Sequence, residues 1–90
     1  MARVERDFVR FPVLLWVSEN VSEFREERGW TQTQLANLAG VGLPYVNAIE
    51  NRRGAPSLEI LTNIARAFEV TVADLVEDPE LRRKRGGLLR

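Results

Sequence analysis

Between Asn47 and Arg53 the chain reads NAIENRR, which brings two carboxamides, a carboxylate and two guanidiniums close together. A carboxamide holds a donor and an acceptor side by side, the pattern that pairs with the edge of an adenine, and a guanidinium holds a phosphate. Cysteine and histidine are absent from the sequence. Thiol chemistry, disulfides, the commonest metal ligands and the usual general base go with them. The chemistry available is recognition through hydrogen bonds and charge, so no enzyme activity, cofactor or metal is expected.

Such groups recognise a partner only if the backbone holds them in order. The stretch Thr31–Asn51, TQTQLANLAGVGLPYVNAIEN, predicts two short helices and a tight turn. The Thr31 hydroxyl caps the first by accepting from the Gln34 backbone N–H, and Gln34 bonds back, making a capping box. Leu35, Leu38 and Ala39 then share one face at helical spacing. Gly40 stands where the helix must stop, since glycine tolerates the left-handed conformation of a helix end. Val41 plugs the turn and Gly42 leads into the next helix. Pro44 suits that helix's first turn, where N–H groups have no intrahelical partner to lose. Val46, Ile49 and the stem of Glu50 mark its inner face, leaving Asn47, Ala48 and Asn51 outside. Helix, short turn and helix are the parts of a DNA-reading helix-turn-helix. The same spacing also fits a plain helical hairpin in a small bundle.

The residues themselves narrow the choice. Trp30-Thr31-Gln32, Leu35-Ala36, Gly40-Val41, Tyr45-Val46, Ile49-Glu50-Asn51, Pro56-Ser57-Leu58, Leu61 and Ile64-Ala65 resemble the lambda-repressor/Cro (XRE-type) family of helix-turn-helix proteins. The resemblance runs from about Val17 to Glu77. It implies an all-α, five-helix DNA-binding domain, here with an N-terminal apolar extension. It implies that Gln32, first residue of its helix, touches the DNA backbone, where free N–H groups suit a phosphate. Thr33, Tyr45, Asn51, Arg52 and Arg53 are assigned to the backbone with it. It also implies that Arg25 pairs with Glu50 and so orients the recognition helix. The base-facing positions are Leu43, Pro44, Asn47 and Ala48. Better-known members carry glutamine, serine, lysine or arginine there, whereas only Asn47 here has an amide for adenine. Leu43, Pro44 and Ala48 offer carbon to thymine methyls. Direct readout is therefore thin, and either DNA shape supplies more of the specificity or Arg52 and Tyr45 reach further.

Ninety residues make one domain at most, with a core small enough that a partner subunit would help it. The formal net charge is zero, but its distribution is uneven. From Thr31 to Pro56 the only charges are Glu50, Arg52 and Arg53, while the flanking helices are rich in Glu and Asp. A locally basic edge on an acidic body meets phosphate with modest affinity that falls with salt.

In chain order, residues 1–16 form the extension, 17–78 the DNA-binding domain and 79–90 a basic tail. Charges at Glu5 and Asp7 and the proline at Pro12 argue against a signal peptide. The run Val13–Val17 is too short to span a membrane. The protein reads as soluble and cytoplasmic. Pro12 opens a long first helix reaching Arg28; alternatively an edge strand precedes a helix capped by Ser18. Gly29 ends that helix, and Trp30 is placed between the first and second helices. Ser57 caps the fourth, which buries Leu58, Leu61, Ile64, Ala65 and Phe68. Glu69 replaces the family's usual glycine after it, so a less favourable helix end is expected. Thr71 caps a fifth helix, with Asp74 at its third position, and Pro79 stops it. The run Arg82, Arg83, Lys84, Arg85 reads as a solvated tail, disordered at its tip, or as an arm with nonspecific affinity for DNA.

The chain is thus expected to bind double-stranded DNA as a homodimer on a pseudo-palindromic operator, as a repressor or operon controller without membrane contact. The second reading is an antitoxin-like module whose apolar N-terminus or basic tail holds a partner protein such as a toxin. The dimer contact is expected at Phe8–Val17, with residues 70–76 the alternative.

Overall fold

In the computed structural model, residues 12–89 are described, and they form six helices without a strand among them. These are α1 (Pro12–Glu27), α2 (Gln32–Ala39), α3 (Leu43–Glu50), α4 (Leu58–Phe68), α5 (Val72–Val76) and α6 (Pro79–Leu89). Helix α1 begins at Pro12 and runs unbroken through Ser18, which decides between the two readings of its start. The strand alternative for the residues before Pro12 lies outside the described residues.

Local chemistry sets each boundary. Thr31 and Thr71 both form complete capping boxes, with Gln34 and Asp74. The Ser57 hydroxyl accepts from the Ile60 backbone N–H at 3.1 Å. Gly40 closes α2 in the left-handed region, at φ 68°. Two side-chain-bearing residues adopt that region as well, Arg52 after α3 (φ 57°) and Glu69 after α4 (φ 59°). Each is followed by a backbone bond across the helix end, Arg53 N–H to the Ala48 carbonyl at 2.8 Å and Val70 N–H to the Ala65 carbonyl at 2.9 Å. These bonds satisfy carbonyls that the helix end would orphan, and they hold both residues in a conformation glycine adopts more readily.

One core joins the helices. Val17, Val21 and Phe24 of α1 meet Leu35 and Ala36 of α2, Val46 and Ile49 of α3, Leu61, Ile64, Ala65 and Phe68 of α4, and Leu75 of α5. Two leucines expected in this core lie outside it. Leu38 is 59 % exposed. At about 100° per residue the buried arc of α2 runs from Leu35 through Ala39 to Ala36, and Leu38 falls roughly 60° beyond Leu35 on the wrong side. Leu58 is 75 % exposed, because it is the first residue of α4 and flanks the stripe centred on Leu61, Ile64 and Phe68.

Trp30 also sits elsewhere than expected. Its ring stacks on Phe68 at the end of α4, with centroids 5.7 Å apart, and Phe24 meets Phe68 at 5.5 Å. The Arg28 guanidinium covers all three rings and donates to the carbonyls of Phe24 and Phe68 at 2.9 and 2.7 Å. The Phe68 ring and the Arg28 guanidinium thus give the indole an aromatic stack and a cation contact at the end of α4.

The basic run is a helix, not a loose tail. Pro79 does not only follow α5: it is buried and begins α6, where a missing N–H costs nothing. Arg82 and Arg83 pair with Glu23 of α1, and Arg85 pairs with Glu77 and lies near Asp74. Carboxylates that α1 and α5 present toward the C-terminus account for the difference. No described helix is long and apolar enough to cross a membrane.

Candidate nucleic-acid interface

Helix α3 carries the amides and is followed by the guanidiniums. Val46 and Ile49 anchor its inner side in the core. The stripe opposite, at spacings of three and four, holds Leu43, Pro44, Asn47, Ala48 and Asn51. Leu43, Pro44 and Asn51 are exposed, whereas Asn47 and Ala48 are half-buried. Ala48 lines a shallow hollow with Tyr45, Ile49, Arg53 and Ile60.

Polar contacts fix the roll of α3 against α1 and α2. Arg25 Nε donates to Glu50 Oε2 at 2.7 Å and Nη2 donates to Oε1 at 2.8 Å, a two-point contact. Arg25 Nη1 donates to the Trp30 carbonyl at 2.7 Å, so the same guanidinium also ties down the turn before α2. The hydrogen bond to Glu50 holds the Arg25 guanidinium above its ordinary pKa, against the effect of burial. Both side chains are largely withdrawn from water, 16 % and 6 % exposed. On the other side of Glu50, the Ser18 hydroxyl donates to its backbone carbonyl at 3.1 Å.

The network continues outward. Gln32 Nε2 donates to Glu50 Oε1 at 3.3 Å, and Gln32 Oε1 accepts from Asn47 Nδ2 at 3.0 Å. Arg53 Nη2 donates to Asn47 Oδ1. Both ends of the Asn47 amide are therefore engaged, by the first residue of α2 and by the loop after α3. Each end retains one further hydrogen-bonding valence, since an amide has two donors and two lone pairs. Asn51 Nδ2 donates to the Asn47 carbonyl at 2.9 Å.

Around α3 lie the groups assigned to phosphate. Gln32 and Thr33 open α2, where backbone N–H groups have no intrahelical acceptor. Tyr45 is 57 % exposed at the N-terminal end of α3, and Arg52 and Arg53 are exposed at its C-terminal end. The structure thus places the sequence-derived residues around α3, with Arg25 and Glu50 beneath it, but not all on one side: Tyr45, Ala48 and Arg53 line one hollow, and Arg52 lines another with Ser18, Glu19 and Glu50.

Three positioning residues escaped the sequence reading. Asn20 is fully buried, and its Nδ2 donates to the carbonyls of Leu75 and Glu77 at 2.9 and 2.8 Å. Its Oδ1 accepts from Arg82 Nε at 3.2 Å. A polar residue next to Val21 in the stripe Val17–Val21–Phe24 is the signal, because a buried amide must find partners. Ser18 shows the same signal more weakly. For Arg28 no pattern in the sequence points to three aromatic rings brought together by the fold.

The Helix-turn-helix family model matches residues 21–75 of the chain. The transcriptional regulator DdrOP3 of Deinococcus deserti is 39 % identical over 62 residues, covering 69 % of this chain and 48 % of that protein. The cryptic phage CTXphi transcriptional repressor RstR of Vibrio cholerae is 35 % identical over 63 residues, covering 70 % of this chain and 57 % of its own. This chain thus aligns with about half the length of these relatives. Among solved structures, the crystal structure of the hypothetical transcription factor NHTF from Neisseria superposes with a TM-score of 0.76 at 30 % identity, covering 81 % of this chain and 84 % of that one.

Proposed function

This chain belongs to the XRE-type, lambda-repressor-like helix-turn-helix family, and we propose that it is a sequence-specific regulator of transcription that binds double-stranded DNA. In this reading it binds a pseudo-palindromic operator as a homodimer and acts as a repressor or operon controller. The observation that carries the reading is the α3 face. Its outer stripe is held at a fixed roll by Glu50, Gln32 and Asn47, between the open N-terminus of α2 and the two arginines after α3.

The mechanism follows from that frame. Gln32, Thr33, Tyr45, Asn51, Arg52 and Arg53 take backbone phosphates, which set register but carry no sequence information. Helix α3 then enters the major groove with Leu43, Pro44, Asn47 and Ala48 toward the base edges. Asn47 spends its remaining donor and acceptor on a base, with its amide orientation already set by Gln32 and Arg53. Regulation is by occupancy, two copies covering the operator and blocking or recruiting polymerase.

Selection of bound sequences from random duplex DNA tests this. The expected pool contains two related half-sites about one helical turn apart. A pool without enrichment overturns the reading. The second reading, an antitoxin-like module with a toxin-like protein partner, rests on Leu14, Leu15 and Trp16, which are half-buried yet outside the core cluster. A stoichiometric complex with the product of an adjacent reading frame, formed through those residues, would favour it.

A further inference from the structure

The N-terminal end of α3, which the proposed function turns toward the groove, presents mostly carbon. Leu43 is 41 % exposed and Pro44 is exposed beside it, on the first turn of the helix. The Tyr45 ring is turned back against Gly42, where an added Cβ would come within 3.3 Å of Tyr45 Cδ2. No side chain on that turn offers a donor or acceptor to a base apart from the Tyr45 hydroxyl. The first amide along the stripe is Asn47, one turn further on and tied to Gln32 and Arg53.

The N-terminal turn of a recognition helix is the part nearest the base edges. A base donor or acceptor pressed against Leu43 or Pro44 would lose its water without replacement, which is unfavourable. Only one base presents a methyl group in the major groove, thymine at its C5 position. The open N–H groups of α2 and the cations Arg52 and Arg53 on either side of the helix suit phosphate rather than an apolar protein groove. The occupant of this apolar end is therefore read as DNA. We propose that Leu43 and Pro44 select the half-site through thymine methyl groups, so that carbon–carbon contact rather than hydrogen bonding carries discrimination opposite the first turn of α3.

This inference rests on the DNA-binding reading, and its test separates the two. In the selected half-site, each thymine is replaced in turn by deoxyuracil, which removes the methyl and leaves every hydrogen-bonding group. The wild-type protein is expected to bind about fourfold more weakly for each contacted methyl removed, equivalent to about 0.8 kcal/mol. Leu43→Ala with Pro44→Ala is expected to bind the thymine duplex more weakly and to lose the difference between thymine and uracil at those positions. Circular dichroism and the salt dependence of binding check that the fold and the phosphate contacts persist in that variant. Equal binding of thymine and uracil duplexes by a wild-type protein that still selects a sequence overturns the inference and leaves the function standing. Uracil sensitivity that persists in the double variant overturns it too. If no duplex is selected at all, the functional reading fails and this inference with it.

Discussion

Glu50 carries more of the candidate site than any other residue. Its carboxylate receives Arg25 twice and Gln32 once, and its carbonyl receives Ser18, so α1, α2 and α3 meet at one side chain. A buried two-point ion pair contributes little relative to apolar packing, but removing one partner leaves a charge without its counter-ion. Glu50→Ala is expected to destabilise the domain by about 3 kcal/mol, read as a shift in the urea midpoint. Arg25→Ala combined with Glu50→Ala should recover part of that loss. Strictly additive losses would mean that the two side chains do not interact in solution. The pairing was legible in the sequence because Arg25 and Glu50 stand at family positions. The engagement of Asn47 was not, since Gln32 and Arg53 reach it only after the turns before and after α3 are folded.

At the scale of the element, the helix starts were easier to read than the helix ends. Thr31, Ser57 and Thr71 cap through atoms a few residues apart, so local sequence contains the whole interaction. The ends at Arg52 and Glu69 are left-handed without glycine, a conformation held by the backbone bonds that Arg53 and Val70 make across each helix end. Glu69→Gly should therefore raise stability by about 0.5–1 kcal/mol, the strain relieved exceeding the added backbone entropy of the unfolded chain. Unchanged or lower stability by denaturant titration would show that Glu69 is not strained.

Helix α6 was misread as a tail because a run of cations looks solvated until the carboxylates facing it are known. Its docking is expected to depend on pH through Glu23. A hydrogen bond from Arg83 holds the Glu23 carboxyl below its ordinary value of 4.5, burial opposes this, and Arg82 adds to the lowering. A carboxyl with a depressed folded pKa stabilises the fold above its unfolded value, and that contribution is lost as pH falls through the folded value. The wild-type protein should thus lose more stability between pH 7 and pH 3 than Glu23→Gln does, in low salt. Parallel losses in the two proteins would mean that α6 is held without Glu23.

At the scale of the whole molecule, what is at issue is how one small α3 face achieves specificity. In the proposed DNA-binding reading, a single recognition helix with one tied amide gives few base contacts, so two copies are expected, related by two-fold symmetry with α3 free on each. The interface must therefore lie away from α3, and the burial pattern ranks the two candidates. In residues 70–76, Leu75 is fully buried and Val70, Val72 and Val76 pack against the core, so much of that apolar surface is already spent within the monomer. At the start of α1, Val13 is 37 % exposed, and Leu14, Leu15 and Trp16 are half-buried outside the core cluster. Phe8, Val9 and Phe11 precede them in the sequence and lie outside the described residues. The apolar run is too broad for one helix stripe of so small a domain, and a second copy is a natural cover for it. Deleting residues 1–11 should accordingly weaken dimerisation and operator binding together while leaving the helical signal of α1–α6 largely intact. Sedimentation at low micromolar concentration decides the matter. A truncated protein that remains dimeric there moves the interface to residues 70–76. One that becomes monomeric but binds the operator undiminished would detach dimerisation from recognition and leave a single α3 to read the DNA.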